Sequence, residues 1–396
     1  MPGPLHGVRI VEMSVAVTGP LAVGLLVDQG ADAVKVEEPG YGDQGRYVGV
    51  HSGGISAMFQ MCNRGKRSIA VDCTDPRGRD IVLELCAGAD VFVQNMRPGV
   101  IERLGLGHDA VSARNPGIVY LSLSGFGPDG PYSHRRVYDS VIQAQSGLVG
   151  NQTGINDDSP RFLRQAAADK ITAYTAAQAV TSALFARERG AGGQHVQLAM
   201  LDAAVGFLFA DSASHEVALD NDQPHLAQSF SAHQRAVALA DGHVVMAAVT
   251  DSEFHGMARA FGVDSSDPRV ATMTDRQENR PQTSEVFRAV HAAAATKPLA
   301  EAVEALDRHE VPFGVVLGVE DIATDAQAVH NELFAEHAHP RMGRVRQPRP
   351  APRFSATPAE LREPSAPAHG QHTDDVLAEL GWGDRIDELR ADGVIK

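Results

Sequence analysis

Cysteine, aromatic residues and positive charge are all scarce in this chain, and each shortage excludes something. Cys62, Cys73 and Cys86 are its three cysteines and show no Cys-x-x-Cys spacing. That argues against a disulfide frame or a zinc site and fits a reducing compartment, where such residues serve as small hydrophobes. Lysine and arginine number 35 against 50 aspartates and glutamates, a formal net charge of −15. Nucleic acids and anionic membranes select a basic excess, so neither is expected as a partner, and any anionic ligand must be held by local cations. No uninterrupted apolar run reaches the ~18 residues of a membrane span. The opening Met1-Pro-Gly-Pro-Leu-His6 lacks a charged region followed by an apolar core, so the chain reads as soluble and cytoplasmic. The 17 histidines form no His-Glu-x-x-His or comparable helical pair, so no metal site is expected. The loop Ser14-Val-Ala-Val-Thr-Gly-Pro20 lacks Gly-x-Gly-x-x-Gly, which disfavours a nicotinamide dinucleotide.

What is present is enough apolar material, 43% of 396 residues, for more than one core, and two domains are the natural expectation at this length. From Gly7 the pattern is strand then helix, repeated. Strands are expected at Gly7–Met13, Ala33–Glu37, Ser68–Asp72, Asp90–Gln94 and Ile118–Leu123, with helices at Pro20–Gln29 and from Pro76 to about Ala87. Such alternation predicts right-handed crossovers and a parallel sheet covered on both faces, an α/β Rossmann-like layer. After the turn-dense Gly125–Pro131 the character changes to long helices, Ile171–Arg189 and Val196 to about Phe209. Residues 222–325 read as a separate small unit, with a strand at Gly242–Val249, helices near 252–261 and 284–307, and a strand at Val311–Val316. The proline-bearing stretch 344–369 reads as an extended connector. Helices at Thr373–Leu380 and near 384–391 close the chain. The predicted division is thus 1–221, 222–325 and 326–396.

One carboxylate stands out. In Arg164-Gln-Ala-Ala-Ala-Asp169-Lys-Ile-Thr a tract of small side chains, with room for a bulky ligand, opens into an amphipathic helix. An aspartate there meets free amide N–H groups and the positive end of the dipole, which favour its anion. Two readings stand side by side, an ordinary helix cap and a covalent nucleophile.

Longer-range pattern bears on that choice. Gly7-Val-Arg-Ile-Val-Glu with Gly19-Pro20, Val34-Lys-Val-Glu-Glu-Pro39, Asn63-Arg-Gly-Lys-Arg-Ser68 and Asp90-Val-Phe-Val-Gln-Asn95 with Arg97-Pro-Gly occur in that order. Arg103-Leu-Gly, Ser124-Gly-Phe-Gly, Tyr138-Asp139, Gly192-Gly-Gln-His-Val196, Val311-Pro-Phe-Gly314 and Gly370-Gln-His-Thr373 follow. Together they resemble the family III CoA-transferases, with the related α-methylacyl-CoA racemases, nearly end to end. The resemblance implies a large Rossmann-like domain built from both chain ends, a smaller α+β middle domain and an interlocked homodimer. It implies acyl-CoA and a small carboxylic acid as substrates, no permanently bound cofactor, and Asp169 as the catalytic nucleophile.

It further implies that the loop Val15-Ala-Val-Thr18, with Val17 and Thr18 foremost, and the turn Asn95-Met96 line the nucleotide and that Lys66, Arg97, Arg103, Arg136 and Tyr138 contribute to CoA binding. Glu38 stands where some relatives carry a cation. Gln143 or a glycine near Gly147 is the expected oxyanion donor. Tyr138 occupies the place of the racemases' histidine, and a phenol with a reference pKa near 10 is a poor base at neutral pH. The cluster His134-Arg135-Arg136 suits a dicarboxylate. The relatives' glycine-rich catalytic loop has no obvious counterpart in Leu226–Arg235. The alternatives are a racemase-type isomerase and a catalytically silent acyl-CoA-binding protein.

Overall fold

The computed structural model describes residues 3–152, 159–220, 235–359 and 364–396. It divides into two compact units, Met1–Ala213 with Glu332–Lys396, and Ser214–Asn331. The stretch Leu226–Arg235, in which the relatives' glycine-rich loop has no obvious counterpart, lies outside the described residues except for Arg235.

In the larger unit, β1 (Arg9–Met13), β2 (Asp32–Glu37), β3 (Arg67–Ala70), β4 (Val91–Gln94), β5 (Val119–Ser124) and β6 (Gln194–Ala199) form one sheet in the order β3-β2-β1-β4-β5-β6. Every neighbouring pair is parallel. The central strands β1, β4 and β5 are short and largely apolar because both faces are covered. Alternate residues separate into two cores. Ile10, Val91, Val93, Val119 and Leu121 pack on α1 (Thr18–Val27) and the alanine-rich α4 (Ala167–Ala186). Val11, Val34, Val36, Ile69 and Phe92 pack on α2 (Pro76–Ala87) and on Val376, Leu377 and Leu389 from the chain's end. Helix α2 starts where its sequence says it should, with Asp75 capping the Arg77 N–H and Pro76 in the first turn.

The strand order reverses between β1 and β4. In a doubly wound sheet the crevice beyond the carboxyl ends of such a pair is where ligands bind. Here it is flanked by Ser14–Val17 after β1 and Asn95–Arg97 after β4. Beyond it, α3 (Asp139–Gln145) precedes α4, and α5 (Met200–Phe209) follows β6.

The smaller unit is α+β. An antiparallel sheet of β7 (Ala236–Ala238), β8 (His243–Met246) and β9 (Phe313–Val315) packs with α6 (Asp251–Ala260), α7 (Arg280–Ala294) and α8 (Leu299–Arg308) around Val244, Phe254, Met257, Val290 and Leu306.

Three expectations change. Residues 194–199 form the edge strand β6, not the start of a helix, because Gly193 packs so closely on the carbonyls of Pro116 and Ile118 that the chain is drawn onto the edge of β5. The stretch 284–307 is two helices, interrupted at Lys297-Pro298, since the residue before proline is driven out of helical geometry. The connector opens as a hairpin, β10 (Phe334–His339) on β11 (Gly343–Pro348). Its next part is pinned by Gln60, whose amide donates to Pro364 O at 2.6 Å and accepts the Ala366 N–H at 2.8 Å. Two short helices, α9 (Thr373–Glu379) and α10 (Ile386–Ala391), then return to the sheet. Among the described residues no helix is long and apolar enough to cross a membrane.

Candidate active site

A cleft of about 730 Å³ opens at the strand-order reversal. Val15, Ala16 and Thr18 come to it from the β1–α1 connection and Asn95, Met96 and Arg97 from the end of β4. Ser124, Gly125, Arg135, Arg136, Tyr138 and Asp139 come from the end of β5 and the loop leading to α3, and Asp169 from the first turn of α4.

The Asp169 carboxylate is partly buried and accepts a hydrogen bond from Thr18 Oγ1. Its own backbone N–H donates to Asp139 Oδ1 at 3.0 Å. Asp139 thus caps α4 from outside, where the N-cap position, Ala166, offers no side-chain acceptor. The surroundings push the Asp169 carboxyl up to about 6, chiefly by burial, with the Thr18 hydrogen bond opposing and the Asp139 charge adding. This corrects the expectation that a helix N-terminus would hold the group low. Burial and a like charge outweigh the dipole here, although a group titrating near 6 is still mostly an anion at pH 7.

The cations Arg97, Arg135 and Arg136 are exposed, line the cleft and have no ion pair among the described residues. Arg135 is held by its stack on Tyr132, 3.8 Å from guanidinium carbon to ring centroid. In a −15 chain, three guanidiniums without ion pairs thus gather at the place where the sheet topology puts a ligand, in a cleft that also holds the carboxylates of Glu38, Asp139 and Asp169. Asn95 spends both ends of its amide on Val15, accepting its N–H and donating to its carbonyl at 2.9 Å each. Met96 lies beside it, its N–H held by Gln94 Oε1 at 2.8 Å.

Not every expected residue is there. Lys66 is 2% exposed, with Nζ 2.6 Å from Glu12 Oε2 and donating to Pro20 O at 2.8 Å. It is sealed beneath the cleft as the partner of a buried carboxylate and has no surface to offer a phosphate. Burial pushes its ammonium down to about 8, with Glu12 opposing. Arg103 is exposed but not among the lining residues, and Val17 sets the start of α1 without lining the cleft. Gln143 is no oxyanion donor. Its Nε2 is committed to Asp139 Oδ2 at 2.6 Å and Gln165 O at 2.9 Å, and its Oε1 accepts the Leu163 N–H. Gly147 lies outside the cleft. Glu38 lines the cleft and accepts the N–H groups of Tyr41 and Gly42, so it shapes a turn.

Sequence reasoning missed Asp139 as the group facing Asp169, and missed Tyr41 and Ser124 in the lining. The Tyr138-Asp139 motif was the available signal for the first. Ala16 was expected in the lining loop, but nothing in its type announces the left-handed backbone it adopts, φ +67°. Among the described residues no cluster of metal-ligating side chains occurs.

The model of CoA-transferase family III matches residues 5–373, and the chain belongs to that family. Among its relatives, succinyl-CoA:glutarate CoA-transferase of Mus musculus is 33% identical, over 99% of this chain and 90% of that protein. Formyl-CoA:oxalate CoA-transferase of Streptomyces avermitilis is 32% identical, over 99% of each. A solved CAIB/BAIF family protein from Brucella suis superposes with a TM-score of 0.81 at 30% identity, covering 96% of this chain and 100% of that one.

Proposed function

We propose that this protein moves CoA from an acyl-CoA donor to a carboxylic acid acceptor through covalent intermediates on Asp169, and that the acceptor is a dicarboxylate. The observation that carries the reading is a carboxylate set in a cleft walled by three unpaired arginines. One Asp169 oxygen attacks the thioester carbonyl carbon, the C–S bond breaks, and CoA leaves as its thiolate, giving an acyl-aspartyl anhydride. The thiolate then attacks the aspartyl carbonyl carbon and releases the donor's carboxylate, leaving aspartyl-CoA. An acceptor carboxylate displaces the thiolate in turn, and thiolate attack on the acceptor's acyl carbon frees Asp169. Every attacking and leaving group is an anion, so no proton transfer is needed and a phenol at Tyr138 is no handicap. A racemase would need a second base in that place.

The dicarboxylate acceptor is supported by the names of the relatives, which specify glutarate and oxalate, and by guanidiniums well matched to a second carboxylate. An interlocked homodimer belongs to the same proposal. Tyr174, Phe185 and Phe207 on α4 and α5 are 61%, 67% and 58% exposed, an apolar surface that a second subunit would cover.

The test is covalent trapping. The protein is incubated with succinyl-CoA, acetyl-CoA and formyl-CoA in turn, quenched with hydroxylamine or borohydride, and mapped by peptide mass spectrometry. Modification confined to the Asp169 peptide, and lost in Asp169→Ala with CoA binding retained, is the expected result. Transfer activity that survives Asp169→Asn, or adducts at another residue, would overturn the mechanism.

A further inference from the structure

Beneath the cleft lies a group of buried charges that the transfer chemistry does not use. Lys35, fully buried on β2, has Nζ 2.8 Å from Asp43 Oδ2 and 3.0 Å from Glu12 Oε1, and donates to Ser14 O at 2.7 Å. Glu12 also pairs with Lys66 and accepts from Ser14 Oγ. Asp43 is 0% exposed, and its backbone is tied through its N–H to Glu37 Oε2 at 3.0 Å. Glu37 is itself held by Arg46 and Ser68. With one oxygen on Lys35, Asp43 turns the other upward, where Oδ1 accepts the N–H groups of Ala16 at 2.8 Å and Gly45 at 2.7 Å.

Ala16 is one of three non-glycine residues with positive φ among those described, and the one that lines the cleft. For an alanine that conformation costs about 1 kcal/mol or more and persists only where the surroundings impose it. Two clamps impose it. Asn95 grips Val15 on one side and Asp43 grips Ala16 on the other. Two residues on, Thr18 donates its hydroxyl hydrogen to Asp169.

We infer that Asp43 is a positioning residue for the transfer reaction: backed by Lys35, it holds Ala16 in the left-handed region and so sets where the Thr18 hydroxyl meets the Asp169 carboxylate. The inference rests on the reading of Asp169 as nucleophile. A merely structural ion pair would support the sheet without affecting how Asp169 titrates. The groups that do affect it are Thr18 from α1 and Asp139 from α3, the first favouring the anion and the second disfavouring it. A displaced Thr18 removes the favourable contribution, and the titration of Asp169 moves up.

The experiment is done on the full-length enzyme with carboxyl-13C aspartate, Asp169 being assigned by its absence in Asp169→Asn. Asp43→Asn and Ala16→Val are titrated in the wild-type and Thr18→Val backgrounds, beside the pH dependence of single-turnover acylation. Valine at φ +67° is strained while every buried charge stays paired, so Ala16→Val carries the test alone if Asp43→Asn does not fold. Both variants are expected to raise the Asp169 midpoint and the acid limb of acylation together. Neither should move them further once Thr18 is valine, and Ala16→Gly, which accepts positive φ freely, should leave the Asp169 midpoint unmoved. A folded Asp43→Asn or Ala16→Val with an unmoved midpoint, or a shift that persists undiminished in Thr18→Val, overturns the inference. Failure of the nucleophile reading would show separately, as turnover surviving Asp169→Asn, while the titration stays readable.

Discussion

At Asp169 function and stability oppose each other. The carboxyl titrates near 6 in the folded protein against 3.8 for the free group, so between those pH values the folded state binds more proton than the unfolded one. Stability therefore falls as pH rises from about 4 through about 6, and the loss is complete at neutral pH. A shift of that size corresponds to about 2–3 kcal/mol. Asp169→Asn, which keeps an acceptor for Thr18, is expected to raise Tm by several degrees at pH 8, with the gain vanishing near pH 4. Paired thermal melts at the two pH values check this, and an equal gain at both would show that the cost of ionisation is not what asparagine removes. The place of the aspartate in the first turn of a helix was legible from its tract of small residues. Its partners were not, because Thr18 lies 151 residues away and Asp139 lies 30, and no local pattern reports such pairings. Lys66 was misread for the complementary reason. A lysine in Asn63-Arg-Gly-Lys66 looks the same whether it reaches solvent or, as here, is trapped under β1 against Glu12.

Elements were easier to read than side-chain partners. Periodicity, Pro76 at a first turn and Gly30 after α1 mark strands and helices that run together over most of the larger unit, because propensity, burial and capping there point the same way. The edge strand β6 escaped because its burial is mixed, and its strand character comes from pairing with β5. The loop between β5 and α3 shows what an irregular element can hold in place. It brings Arg135 and Arg136 to the cleft, and the stack on Tyr132 limits the entropy Arg135 loses on engaging an anion. If that guanidinium receives the far carboxylate of the acceptor, Arg135→Gln should raise KM for glutarate and succinate about tenfold or more, the loss of a charge-assisted contact of ~1.5–3 kcal/mol. KM for a monocarboxylate such as butyrate should change little. Steady-state kinetics with matched acceptors decides it, and equal losses for both classes would place Arg135 on the coenzyme instead.

On the scale of the whole molecule, the first and last segments of the chain complete one sheet. The face of the sheet that α1 and α4 leave open is closed by α2 together with α9, α10 and the residues after them, through Val376, Leu377, Leu389, Val394 and Ile395. The last residues even pair with the sheet's margin, Ile395 bridging to Val71 and Asp72 donating its N–H to Val394 O at 2.8 Å. Cleft loops spring from β1 and β4 of that same sheet, and the return segment braces the stretch after β2 that also reaches the cleft, with Pro367 O accepting from Arg46 Nη1 at 3.0 Å and His369 Nε2 lying 2.9 Å from Glu38 O. A defect at the chain's end is therefore expected to lower the stability of the sheet that carries the site, and so the population of folded sites, without altering the site itself. Leu377 is fully buried, and Leu377→Ala should cost about 2–5 kcal/mol, transfer and cavity effects together. Urea unfolding of the larger unit should show this as a lowered midpoint with little change in slope. In the fraction that remains folded, acylation of Asp169 should proceed at the wild-type rate, because nothing that touches the carboxylate has moved. A rate that fell further than the folded fraction would mean that α9 acts on the cleft directly as well as through the stability of the sheet.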